Sequence, residues 1–176
     1  MNAQAAPPLV LSVAYWLHML ATVLWLGGLA ALAFVVLPAA RRTLDGAGYI
    51  ALLAQLQRRL QQIGWFSLAV LGVTGMFQMS SNPSYQGFLA VNNPWAAAIL
   101  AKHLVVGLMI LAAAYMTWGV LPALQRLAIL QAAGKPASAE QASRLRRQEQ
   151  WMLGINLTLS VIVLLLTAVA RAFSGG

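Results

Sequence analysis

Four stretches of this chain are apolar for long enough to cross a lipid bilayer, and that constrains its fold more than any motif. A spanning helix needs about 20 residues, and within the hydrocarbon every backbone N–H and C=O must be paired inside the segment. The first stretch covers residues 9–37 and meets Pro38, Arg41 and Arg42. The second, 63–80, is the shortest; its lead-in LLAQLQRRLQQIGWF has apolar residues at helical spacing. The third covers 95–121 and meets Pro122, and the fourth covers 151–171. Proline lacks a backbone donor and clashes with the turn before it, so Pro38 and Pro122 are expected to end spans one and three. Ser138 with Gln141 fits a capping box, so AEQASRLRRQEQ is expected to lead helically into span four after a flexible GKPAS joint. The expected fold is all-α: an integral membrane four-helix up-down bundle. It forms a single transmembrane domain over 1–176, with loops 38–62 and 122–150 between spans. No internal repeat is evident.

Charge placement predicts the orientation. Only 8% of residues are charged, against about 25% in soluble domains, yet the net charge is +8. Arg41, Arg42, Arg58 and Arg59 follow span one; Arg126, Lys135, Arg144, Arg146 and Arg147 follow span three. The amino terminus and the segment SSNPSYQGFLAVNNP carry no basic residue. By the positive-inside rule both basic loops face the cytoplasm and both termini face out. The excess charge is thereby explained without nucleic acid, and membrane lipid is the expected surrounding. The first ten residues lack the basic start of a signal peptide, so the first span is expected to be retained. The expected location is the inner (plasma) membrane, as a multi-pass protein. Cysteine is absent, which excludes disulfides, thiolate metal sites and iron–sulfur clusters.

The two histidines, His18 and His103, both lie inside spans. Spans one and three run the same way, and each histidine falls roughly 12–14 Å below the start of its helix. In an up-down bundle these spans are diagonal, so two imidazoles at one depth are candidates for a shared metal centre. Bis-histidine ligation of haem b is the first expectation. Trp25 lies near the His18 face, while Gly75 and Gly107 leave room for a bulky ligand or for close helix contact. Lys102 and Arg171 are candidates for meeting haem carboxylates; snorkelling and interfacial anchoring are their plainer roles. Either histidine alone would also serve as an interhelical hydrogen-bond partner.

Met19, Met76, Met79, Met109 and Met116 lie in or near spans, and thioethers suit Cu(I), although methionine is also ordinary filler. Asp45, Glu140 and Glu149 are the only carboxylates, and all fall in the basic loops. No paired acids or nucleophile triad is present, so any catalysis would be redox chemistry carried by a cofactor.

The stretch WLHMLATVLWLGGLAALAFVVLPAARR resembles the first helix of the copper-resistance protein D (CopD) family. LQRRLQQIGWFSLAVLGVTG and AKHLVVGLMILAAAYMTWGVLPAL are similar to its next two elements, with Lys102 and Pro122 in matching places. HemJ-like four-helix membrane proteins share a first-helix histidine followed by tryptophan and glycine, matched here by His18, Trp25 and Gly27. The resemblance implies either haem-dependent membrane redox chemistry or copper handling. Three functions follow: a b-type haem protein passing electrons to a redox partner, a copper-handling permease, and a non-catalytic subunit of a larger membrane complex or homo-oligomer.

Overall fold

The computed structural model describes residues 7–134 and 138–173; Lys135 and the centre of the GKPAS joint lie outside them, as do the first six residues. The described residues form four long helices: α1 Pro8–Thr43, α2 Gly46–Ser80, α3 Pro94–Ala132 and α4 Ala139–Ala172. Each is long and apolar enough to cross a membrane, with mean hydropathy lowest in α2, at 1.3 against 2.1–2.4 for the others. The chain is a multi-pass membrane protein, and its surface fits that solvent. Val73 is 73% exposed, Leu111 67% and Leu165 63%, an apolar face that water would not tolerate at this extent.

Helix α1 packs on α2, α3 on α4, α2 on the second half of α3, and α1 on α4. This is the cyclic neighbour order of an up-down bundle. The buried core at the basic end is apolar, built on Ile50, Leu53, Val120, Leu124 and Leu127. Towards the middle, the interior turns small and polar, with Ser67, Thr74, Asn156 and Ser160 buried. A second cluster around Met79, Trp95, Ala96 and Ala170 closes the other end.

Neither Pro38 nor Pro122 ends its helix. Each lies two residues beyond a π-helical turn, Leu32–Val36 in α1 and Met116–Val120 in α3. In the wide turns Leu37 N–H bonds Leu32 O and Leu121 N–H bonds Met116 O, five residues back. That wider register accommodates the missing donor, so the helix passes each proline and runs on to its basic end. The lead-ins to spans two and four are helical as expected. Asp45 Oδ1 accepts from Gly48 N–H at 2.7 Å to start α2, and Ser138 Oγ accepts from Gln141 N–H at 3.3 Å to start α4.

These features expose a repeat that the sequence does not announce. The two π turns lie 84 residues apart (116 − 32), and each leads into Val-Leu-Pro-Ala, at Val36–Ala39 and Val120–Ala123. The same offset pairs buried Ala14 with Ala98, Leu32 with Met116 and Leu37 with Leu121. The capping residues Asp45 and Ser138 lie 93 apart (138 − 45), an offset that pairs buried Ser67 with buried Ser160, and buried Thr74 with half-buried Thr167. Helices α1–α2 and α3–α4 thus share these local features as two helical hairpins running in the same direction. Repeats of that kind are related by an axis along the membrane normal. At the 84-residue offset, His18 corresponds to Lys102.

Candidate functional site

His18 projects from α1 onto α2. Its Nδ1 lies 2.9 Å from Thr74 Oγ1, and Thr74 Oγ1 donates to Val70 O at 2.6 Å. The threonine has one proton and gives it to the carbonyl, so Nδ1 of His18 must be the donor in the other bond. His18 is thereby fixed with Nδ1 protonated and Nε2 carrying a free lone pair. Gly75 allows this close approach: a Cβ there would stand 3.4 Å from His18 Cε1.

His103 reaches the same tautomer by another route. Its Nδ1 lies 2.7 Å from Ile99 O on its own helix, and a carbonyl can only accept, so Nδ1 carries the proton. Phe88, from the α2–α3 connection, packs edge-on against the imidazole at 5.2 Å between centroids. Both histidines thus present Nε2 as the available ligand atom, the arrangement that an outer-shell hydrogen bond imposes on metal-binding imidazoles. Of the remaining sequence candidates, Lys102 is partly buried on α3. Arg171 stacks over Tyr15 of α1, 5.7 Å from the ring centroid, tying α4 to α1 at the histidine level. Gly107 meets no atom that a Cβ would touch.

Trp25 belongs elsewhere. Its ring lies against Gly64, where a Cβ would come within 2.8 Å of Cζ3, and it lines an internal cavity of about 80 Å³ between all four helices. The cavity lies on the basic side of the histidines, and its walls include Gln57, Gln61, Met116, Met152 and Asn156. Three lining polar atoms have no partner: Trp25 Nε1, Gln61 Oε1 and Asn156 Oδ1. Asn156 cannot be turned to relieve this, because its Nδ2 already donates to Met152 O at 3.3 Å.

Glu149, fully buried, stands just before span four at the basic end of this cavity. Its Oε1 accepts from Gln57 Nε2 at 3.2 Å, and its Oε2 has no partner. Burial pushes its carboxyl up to about 7, against the opposing pull of the Gln57 hydrogen bond and the Arg41 charge. Sequence reading passed over this group, although Glu149, Asn156 and Ser160 recur at helical spacing and mark a polar stripe on the inner face of α4.

The arrangement gives two kinds of donor: one imidazole on α1 and another on α3, each with its own surroundings, and thioethers with amide oxygens nearer the basic end. Among the described residues no group of three or more His, Cys, Asp or Glu side chains is close enough to hold a metal by itself. Comparison with curated proteins and with solved structures returned no match. A family model for copper resistance protein D matches residues 53–170, which takes in α2 from its first turns, all of α3 and α4 almost to its end, but not His18 or Trp25. With that match covering most of the sequence, the chain belongs to the copper resistance protein D family.

Proposed function

We propose that the protein handles copper as cargo in the membrane, taking it at the histidine level and passing it towards the basic end. By the positive-inside rule, that end faces the cytoplasm. The observation that carries this reading is that each histidine commits Nδ1 to a hydrogen bond, which leaves its Nε2 as the ligand atom for a soft or borderline cation. Family membership supports it independently. The cavity beneath, with Met116 and Met152 in its wall and two unpartnered amide oxygens, supplies a second set of neutral donors on the same path. Thioethers suit Cu(I) and leave divalent cations to harder ligands.

Haem b finds no support in the family, which fits the copper reading better. The two readings separate in one preparation. Purified protein titrated with Cu(I) under a competing chelator is expected to bind stoichiometrically and to remain colourless. His18→Ala and His103→Ala each weaken that binding. Sharp Soret and α bands on dithionite reduction, lost in both variants, would overturn the copper assignment. Binding unchanged in both variants would remove the histidines from the site.

A further inference from the structure

The basic end of the bundle carries a second cavity of about 350 Å³, unrelated to the copper path and open at its mouth. Three guanidinium-bearing residues line it, Arg41 from α1 with Arg146 and Arg147 from α4, and Tyr49 from α2 lines the wall between them. Tyr49 is 3% exposed, and its hydroxyl has no hydrogen-bond partner. A buried phenol with no partner is costly, so this hydroxyl is waiting for an acceptor. Arg146 is held in place: its guanidinium lies over the Tyr49 ring at 5.9 Å, and its Nε donates to Ala142 O. The one acid in the wall, Asp45, is already engaged in capping α2 through Gly48 N–H. Leu44, Gly46, Ser143 and Gln150 complete the lining, whose formal charge is three positive against one negative.

We propose that this cleft binds a phosphate group, and that the phosphate is the headgroup diester of an anionic phospholipid. Guanidinium forks match phosphate oxygens two at a time, and the Tyr49 hydroxyl, enclosed in the wall, supplies a further donor once it turns towards the cleft. Depth on the bundle decides for lipid as the source. Trp151, one residue past Gln150 in the cleft wall, is 65% exposed at the start of span four. Exposed tryptophan marks the headgroup level of a bilayer, so the cleft opens where lipid phosphates lie. A bound headgroup would clamp α1, α2 and α4 together at the end where the chain enters water.

The test uses the full chain purified in a zwitterionic detergent and three probes: dihexanoyl phosphatidylglycerol, dihexanoyl phosphatidylcholine and inorganic phosphate. Saturable binding, followed by tryptophan fluorescence and by thermal unfolding, is expected for phosphatidylglycerol and not for phosphatidylcholine. With about 1 kcal/mol for each arginine near the membrane surface, R41Q/R146Q/R147Q should weaken binding on the order of a hundredfold. Tyr49→Phe keeps the ring beneath Arg146 and loses only the hydroxyl, so it should fold normally and weaken binding roughly tenfold. Inorganic phosphate binding as tightly as the lipid would overturn the lipid source. Phosphatidylglycerol binding that is equal in wild type, the triple variant and Tyr49→Phe would overturn the site itself.

Discussion

Glu149 provides the sharpest energetic test of the interior, because its carboxyl is buried and its Oε2 has no partner. Its folded-state value, about 7, lies above the ordinary 4.5. A raised carboxyl pKa means that the fold prefers the protonated acid. Below pH 4.5 the acid is neutral in both states and costs nothing. As pH rises, the unfolded chain loses its proton first, and stability falls until the folded carboxyl has ionised as well, above pH 7. The interval from 4.5 to about 7, at about 1.36 kcal/mol for each pH unit, comes to roughly 3 kcal/mol. Glu149→Gln is neutral throughout and keeps an acceptor for Gln57, so it should escape the loss. The assay is denaturant unfolding of both proteins in the same detergent between pH 4.5 and 8. Every other ionisable group is common to both proteins and cancels in the difference. Near-equal stability at pH 4.5, with Glu149→Gln ahead by about 3 kcal/mol at pH 8, is the expected result. A difference that stays constant with pH, or a wild type that gains on the variant as pH rises, refutes the argument.

Thr74→Val removes the acceptor that fixes His18 Nδ1–H while keeping the volume, so Cu(I) affinity should fall by about 10–100-fold with the melting temperature little changed; competition titration reads it. The double variant M116L/M152L keeps the cavity filled but loses both thioethers. It should bind less Cu(I) than wild type while His18→Ala in the same background loses the remainder, both read by metal analysis of the dialysed protein. Gly64→Ala drives a methyl to within 2.8 Å of the Trp25 ring and should destabilise the protein by about 1–3 kcal/mol in thermal or denaturant unfolding. Trp25→Leu should recover part of that loss, since the two positions share one space.

The spans were legible because hydropathy over 20 residues depends only on which solvent the helix meets. The helical lead-ins were legible from Ser138, Gln141 and the spacing in LLAQLQRRLQQIGWF for the same local reason. The prolines were misread because the rule that they end helices assumes an α register, and two π turns change the register just ahead of them. The cavity stayed hidden for a different reason. Trp25 and Gly64 are 39 positions apart (64 − 25), and only the packing of α1 against α2 makes the glycine a seat for that indole. The histidines were found at once, since an imidazole in an apolar run has few competitors for attention. Their partners were not, because Thr74 and the Ile99 carbonyl look like any threonine and any backbone group.

The two hairpins, alike at their π turns, differ at the histidine level. Two identical hairpins about an axis along the membrane normal would carry the same residue at positions 18 and 102, and a metal between them would see two equal ligands. Here the second position is Lys102, and the second imidazole stands one residue further along α3, turned about 100° around the helix. Thr74, which orients His18, has Thr167 as its counterpart, and Thr167 Oγ1 donates to Val163 O in the same way that Thr74 donates to Val70 O. The scaffold around the ligands is thus repeated while the ligands themselves are not. A symmetric pair would hold a metal equally from both sides. A histidine whose counterpart is a lysine has no second imidazole at the matched place, so its hold on a metal is one-sided. Transient binding is what a cargo site needs, and a resident cofactor needs the opposite. A lysine in place of a second histidine at the matched position fits the passage proposed above.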